Sequence, residues 1–193
     1  LSNSSAQGLG SDVPTQEKLI ASAVQQLPPA APQKIFATKD LELADDLLVS
    51  QRLYGNKVME ALGRHTGATS RAVLLAVGKA TDTNNPVELE ALTYIEREYE
   101  ALVNDLAKVP VPKTLAPLQI KILNDIGIMA ASVRDLKSVL NDPVRGLAGL
   151  QRYEDMLGEV GRVFTSVAEA LGKNGILFNK DEPGAAWAVF ASP

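Results

Sequence analysis

The chain has 193 residues, of which 46% are apolar and 22% are charged, with no cysteine and one histidine. These counts exclude disulfides, thiolate metal centres, a cysteine nucleophile and any metal motif that needs two histidines. The formal net charge of −4 gives no general electrostatic reason to bind nucleic acid, so nucleic acid is not expected as a partner.

The first 33 residues predict a linker followed by a small detachable helix. Residues 1–14 are small, polar and glycine-containing, which is typical of a flexible linker. Within residues 15–33, Thr15 can cap a short helix that ends near Leu27, and a proline-rich spacer follows. The chain begins at Leu1 rather than at methionine, from which we expect either a processed product or a piece cut from a longer chain, with any N-terminal anchor or signal already removed.

Residues 34–175 predict the helical bundle, and its first part is a broken helix. Apolar side chains keep helical spacing from Lys39 to Arg64, with a weak point for a kink at Gly55. Thr69 or Ser70 then caps a shorter helix. The apolar positions of the first helix are Leu41, Ala44, Leu47, Leu48, Tyr54, Val58, Ala61 and Leu62.

Three longer helices are predicted at 86–108, 115–140 and 143–173. Asn85 and Asp142 each precede a proline, the arrangement of a cap residue followed by the first helical position, and Asn174-Gly175 ends the last helix. Rods of this length are about 35–45 Å long, and short connections make neighbours antiparallel. We therefore predict an all-α fold, an elongated up-down four-helix bundle without strands and without a bilayer-spanning segment.

Residues 176–193 form an apolar tail with a Pro-Gly turn signal. They predict either a small hairpin or an apolar plug at one end of the bundle, and the plug is favoured because an isolated hairpin is marginally stable. A cavity near Trp187 is one place where a small molecule would bind.

The junction between the first two bundle helices is a candidate anion site. Its helix-start amides, hydroxyls and basic side chains suit a phosphate or carboxylate, although the glycine spacing is not that of a nucleotide-binding loop. The alternative is a capped loop with a solvated histidine. The candidate residues are Arg64, His65, Thr69, Ser70 and Arg71.

The helix at 115–140 carries Ile120, Leu123 and Ile128 outside its main apolar stripe. A helix that is apolar nearly all round is buried on more than one side. Either the N-terminal helix and the tail cover this extra face, or a protein partner does, so these three residues are the candidate interface.

Four glycines of the last helix predict a closely packed face: Gly146, Gly149, Gly158 and Gly161.

Charge is distributed unevenly between neighbouring segments. Residues 86–108 contain six acidic and two basic side chains, whereas residues 50–80 contain five basic and one acidic. These segments either face one another or form two patches for charged partners.

Neighbouring carboxylates such as Asp45 and Asp46 have no nucleophile placed beside them, so we expect no enzyme, no cofactor and no metal.

Residues 85–180 contain a set of helix caps and core positions that together resemble a known family. These positions are Tyr99, Val109-Pro-Val-Pro112, Leu123-Asn124, Asp142-Pro143 and Tyr153. They resemble uncharacterised membrane-tethered helical proteins of candidate-phylum bacteria with reduced genomes. The resemblance implies one N-terminal membrane segment followed by a bundle outside the membrane, and it supplies no activity. A histidine that many of those proteins carry near the start of the third long helix is missing here.

These features together predict a non-enzymatic extracytoplasmic module that acts in structure or interaction, as part of a cell-surface or secretion-linked assembly. Its partner is another protein or a second copy. The alternative function is binding of a small molecule or anion at the Arg64–Arg71 junction, and the alternative location is the cytoplasm.

Overall fold

A computed structural model describes residues 34–67 and 69–191, and within them the chain is an all-α helical bundle, as predicted. The predicted linker, first helix and spacer at 1–33 lie outside the described residues. The helices are α1 (Leu48–Arg64), α2 (Ser70–Thr83), α3 (Glu90–Leu106), α4 (Ala116–Leu136), α5 (Pro143–Lys173) and α6 (Ala188–Ala191). Short 3-10 helices lie at Thr38–Asp40, Pro86–Leu89, Lys113–Leu115 and Pro183–Trp187.

One small feature departs from the expectation of no strands. Residues Leu43–Ala44 (β1) and Val111–Pro112 (β2) form a two-residue parallel bridge. The bridge ties the segment before α1 to the connection between α3 and α4. It is too short to leave a pattern in the sequence.

The predicted cap residues hold the starts of the helices. Each accepts a hydrogen bond from a free N–H of the first turn, which stabilises a helix by about 1 kcal/mol. At the end of α5, Gly175 has a φ of 72°, the left-handed conformation that glycine adopts without strain. The capping pairs are Thr69 with Ala72 at 3.3 Å, Asn85 with Val87 at 3.1 Å, and Asp142 with Arg145 at 3.1 Å.

The first predicted helix begins later than expected, at Leu48 instead of Lys39. The carboxylate of Asp45 accepts hydrogen bonds from the Leu47 N–H at 3.3 Å and from the Ser50 hydroxyl at 2.5 Å. These bonds favour a helix start at this point and an extended chain before it. As a result, Leu47 stands at the helix terminus and not within a buried helical stripe.

Helix α4 lies at the centre of the bundle, where it packs along α5 and α3. More than half of its residues are buried. An extended segment also crosses it, because the Phe36 N–H donates to Asn124 Oδ1 at 2.8 Å and the Asn124 amide donates back to the Phe36 carbonyl at 3.2 Å. Among the described residues, no helix is both long enough and apolar enough to cross a bilayer.

Two of the four glycines predicted to pack closely do so. A Cβ on Gly146 would lie 2.5 Å from the Cα of Val139, and one on Gly149 would lie 2.9 Å from the Ser132 carbonyl oxygen. The prediction is wrong for Gly161, which has no neighbour within 4 Å, and for Gly158, which meets only the side chain of an arginine one turn away on α5. Of these four positions, the two at which a Cβ would clash both lie in the first half of α5.

The tail contains no strand between residues 176 and 191 and packs on α1 and α5, so it is a plug and not a hairpin. The indole of Trp187 is buried, and its Nε1 donates to the Gly55 carbonyl at 3.0 Å. A Cβ on Gly55 would lie 2.5 Å from Cζ of Phe178. Helix α1 continues through Gly55, whose missing side chain makes room for the tail.

Candidate functional site

The predicted anion site places its basic side chains against acids. His65 lies at the end of α1, with Nε2 3.2 Å from the Asp105 carboxylate and Nδ1 3.5 Å from that of Glu98. Arg64 Nη2 lies 3.3 Å from the same Asp105. Asp105 and Glu98 both belong to α3, so the end of α1 is attached to the acidic helix.

The electrostatics of this cluster favour the ionised form of the Asp105 carboxylate. The hydrogen bond from His65 holds the pKa of Asp105 below its usual value, and the charges of Arg64 and Lys108 add to this effect. A further anion would have to displace Asp105 to gain these donors. The cluster is therefore an interhelical contact in the described chain.

The remaining candidate residues of the junction do not form a cradle with this cluster. The Thr69 hydroxyl accepts from a backbone N–H as the cap of α2, and Ser70 is the first residue of that helix. Arg71 is exposed on α2. In the described chain, Arg64 and His65 therefore contact acids of α3, and the Thr69 hydroxyl caps the start of α2, while anion binding at this junction stays a prediction.

The predicted interface on α4 is wrong for Leu123 and stays a prediction for Ile120 and Ile128. Leu123 has no exposed surface and belongs to the hydrophobic core. Ile120 and Ile128 are only partly exposed. The reason is that α4 packs along both α5 and α3, so part of its extra apolar face is covered within the chain.

A larger apolar surface occurs where the sequence had predicted core. Leu47, Leu48, Val49 and Leu53 are each between 50% and 70% exposed, and we name these four residues the α1 patch. Sequence reasoning assigned Leu47 and Leu48 to the buried stripe of a longer helix. The sequence did contain a signal of this exposure, namely the unbroken Leu-Leu-Val run at 47–49. Successive residues of a helix point in different directions, so three in a row cannot all be buried on the same side.

The acidic helix pairs mainly with α4. Glu96 is buried and accepts hydrogen bonds from Arg134 Nε and Lys137 Nζ, each at 2.6 Å. Burial opposes its ionisation, but the two hydrogen bonds outweigh burial and hold its pKa below the usual value. The same arginine contacts Glu100 at 2.9 Å. The expected pairing with the 50–80 segment is limited to the cluster at the end of α1.

Asp46, which was considered for acid–base chemistry, and the buried Asp135 both have structural partners. Asp46 accepts hydrogen bonds from the Thr114 N–H at 2.9 Å and from its hydroxyl at 2.7 Å, and these bonds lower the pKa of Asp46. Asp135 is buried against Arg145, at 2.7 Å, and Arg152. Within the described parts of the chain, no three side chains of ligand type are grouped to hold a metal ion.

Two hydrogen-bonded tyrosines lie in the core between α3 and α5. The hydroxyls of Tyr99 and Tyr153 are 2.7 Å apart, and the rings meet edge to face. Burial raises the pKa of both phenols, so both stay protonated at neutral pH. This pair links two helices.

One carboxylate, that of Glu182, contributes several of the hydrogen bonds that hold the tail. Glu182 accepts hydrogen bonds from Arg52 Nε at 3.0 Å, from the Asn56 amide at 3.0 Å and from the Asn179 N–H at 2.6 Å. The hydrogen bond from Arg52 contributes most to lowering the pKa of Glu182 to about 2, followed by those from Asn179 and Asn56. The tail is therefore attached to α1 by an ionised group.

No protein-family model matches this sequence, and searches of curated proteins and solved structures gave no significant match. The functional argument therefore proceeds from the geometry of the α1 patch and the tail.

Proposed function

We propose that this chain is a non-enzymatic helical module that binds another protein, or a second copy of itself, through the α1 patch. The observation that carries the proposal is the exposure of four large aliphatic side chains within seven residues. Single exposed leucines are ordinary on protein surfaces, whereas contiguous apolar patches mark contact sites.

The geometry of α1 supports this role. Val49 and Leu53 are one helical turn apart and therefore share a face, with Leu48 beside them. Tyr54 and Val58 lie on the other side of the helix and are fully buried. Helix α1 thus has an inner face that is already buried in the core and an outer face that is apolar and exposed. A helix with two apolar faces is typically packed on two sides.

The structural roles of the carboxylates support the non-enzymatic part of the proposal. Asp46 accepts a hydrogen bond from the Thr114 N–H, and Asp105 is hydrogen-bonded to His65. Glu182 accepts a hydrogen bond from Arg52 and so attaches the tail to α1. A general acid or base needs access to a substrate and a pKa near the working pH. Each of these three carboxylates instead has a lowered pKa and protein hydrogen-bond donors.

The location outside the membrane belongs to the proposal as well. It is supported by the resemblance of residues 85–180 to membrane-tethered bundles. Protease treatment of intact and permeabilised source cells, with detection of the native chain by antibody, tests it independently. Degradation in intact cells supports an external location, and protection until permeabilisation contradicts it.

Site-specific photo-crosslinking in source cells tests the interaction surface. A photoreactive residue replaces Val49 in the α1 patch or, as a matched control, Leu75 on α2, which is 56% exposed. We expect a discrete crosslinked product from position 49 that is absent from position 75. Mass spectrometry then shows whether the product contains a second copy or another protein.

A second substitution tests whether apolar contact causes the crosslink. Leu53→Asp puts a charge in the α1 patch, and Leu74→Asp puts one on an exposed leucine of α2. We expect Leu53→Asp to suppress the product and Leu74→Asp to leave it intact, with both variants retaining the wild-type helical content. Equal products from the two probe positions, or no effect of Leu53→Asp, contradict the proposal.

A further inference from the structure

An apolar cavity of about 420 Å³ lies between the C-terminal end of α5 and the tail. It is open to solvent. Its walls include residues of the last turn of α5 on one side and of the tail on the other, among them Leu171, Gly172, Ile176, Phe178 and Trp187. The volume falls in the lower part of the range of known small-molecule sites, roughly 300–1,000 Å³.

The walls of the cavity are held in place before any ligand arrives. Trp187 is hydrogen-bonded to the Gly55 carbonyl, and its ring centre lies 5.6 Å from that of Phe164. Phe178 packs closely over Gly55. Because these contacts attach the tail to α1 and α5, a ligand does not have to order the aromatic wall.

One charged side chain lines the cavity, that of Lys180. Lys180 forms no ion pair with the part of the chain that the structure describes. The nearby acid Glu182 is already bound by Arg52 and Asn56. An apolar chamber with a single available ammonium group is complementary to a molecule that has an apolar body and one negative head.

We propose that this cavity binds a soluble medium-chain carboxylate, with its hydrocarbon chain against Trp187 and Phe178 and its carboxylate beside Lys180. The cavity volume limits the ligand to a small amphiphile. The site is separate from the α1 patch and does not depend on the function proposed for it.

The chain has one tryptophan, so its intrinsic fluorescence reports directly on the cavity wall. Sodium decanoate, below its micelle concentration, is titrated into the full chain, and calorimetry measures the stoichiometry. We expect a saturable change in Trp187 emission with one ligand per chain. Decanol serves as the neutral probe of the same length.

Two variants locate the ligand. Lys180→Met removes the charge, and we expect decanoate to bind roughly fivefold more weakly while decanol binding is unchanged, since an exposed ion pair contributes up to about that factor. Lys180→Arg restores the affinity. Lys173→Met is the matched control, because Lys173 is at the same end of α5, contacts Glu169 at 3.6 Å and does not line the cavity.

Gly172→Leu tests occupancy of the chamber itself. A Cβ at Gly172 meets nothing within 4 Å, so the larger side chain has room and the fold is expected to persist. We expect it to abolish the fluorescence response, and Ala185→Leu, at another lining position, to do the same if the first variant alters the circular dichroism spectrum. Absence of saturable binding, binding that survives both leucine variants, or equal effects of Lys180→Met and Lys173→Met overturns the proposal.

Discussion

Replacing Gly149 with alanine tests a close contact between α4 and α5. The added Cβ would lie 2.9 Å from the Ser132 carbonyl oxygen and 3.0 Å from Cβ of Asp135, both on α4. These atoms belong to the backbone and to the first side-chain atom of a buried helix, so they cannot rotate away. Helices α4 and α5 would have to move apart locally.

Gly161 on the same helix is the matched control. Both glycines lie within α5, and a Cβ at Gly161 meets nothing within 4 Å. Alanine in place of glycine stabilises a helix interior by roughly 0.5–1 kcal/mol. Overpacking in a rigid contact costs about 1–3 kcal/mol. The expected net result is a loss of about 1–2 kcal/mol for Gly149→Ala and a gain of about 0.5–1 kcal/mol for Gly161→Ala.

Thermal and urea unfolding, followed by circular dichroism, measure both variants. For a chain of this size, 1 kcal/mol corresponds to a shift in Tm of roughly 2–4 °C. We therefore expect Tm to fall by about 2–8 °C for Gly149→Ala and to rise by about 1–4 °C for Gly161→Ala. The reasoning would be refuted by a rise in Tm for Gly149→Ala that equals the rise for Gly161→Ala.

Three further predictions concern polar contacts. Tyr99→Phe leaves the buried Tyr153 hydroxyl without its partner and costs about 1–3 kcal/mol in urea unfolding, and the double Phe variant loses less than the two single losses together. Glu96→Gln costs about 1–2 kcal/mol in the same assay, because two cations lose a charged acceptor and regain water only in part. The folded-state pKa of Glu182 is about 2 against the usual 4.5, so its contribution is complete above pH 4.5 and is lost as the pH falls towards 2. We expect Trp187 emission to change as the pH falls from 4.5 towards 2, because the tail loses the ionised Glu182 over this range. In the Glu182→Gln variant this change in emission should be absent.

The boundaries of α5 were predictable because their signals are local. Asp142 caps the first turn, Pro143 has the backbone angle of a first helical residue, and Gly175 adopts the left-handed conformation at the end. These signals act within a few residues and do not depend on the rest of the molecule. The same reason explains why the start of α2 at Ser70 was predicted correctly.

The choice between core and surface was less predictable, because it depends on the position of a helix in the bundle. Leu123 was a candidate for contact with a partner and is buried in the chain's own core, whereas Leu48 was expected in the core and is exposed. Both are leucines on helices with ample apolar residues. Helix α4 packs along two long helices, α5 and α3, while α1 packs mainly against the tail, and no pattern within either helix records that difference.

The partners of the acidic helix show the same limit for charges. The net charges of segments 50–80 and 86–108 correctly indicated attraction, and Arg64 does contact Asp105. However, the buried acid Glu96 pairs with Arg134 in the last turn of α4 and with Lys137 directly after it, although α4 has no marked net charge of its own. Pairing is decided by the register between α3 and α4, which brings particular side chains within 3 Å, and segment totals carry no information about register.

Helix α1 relates the tail to the proposed contact surface. Arg52 lies between Leu48 and Leu53 along the helix, and its guanidinium is held by Glu182 of the tail. The ion pair therefore fixes a polar edge beside the α1 patch, while Gly55, one turn further on, receives Phe178. A partner that docks on the patch would approach next to this edge, so the tail limits how much of α1 it can cover. In sequence, Gly55 indicated only a weak helix, because the aromatic ring that requires it comes from the far end of the chain.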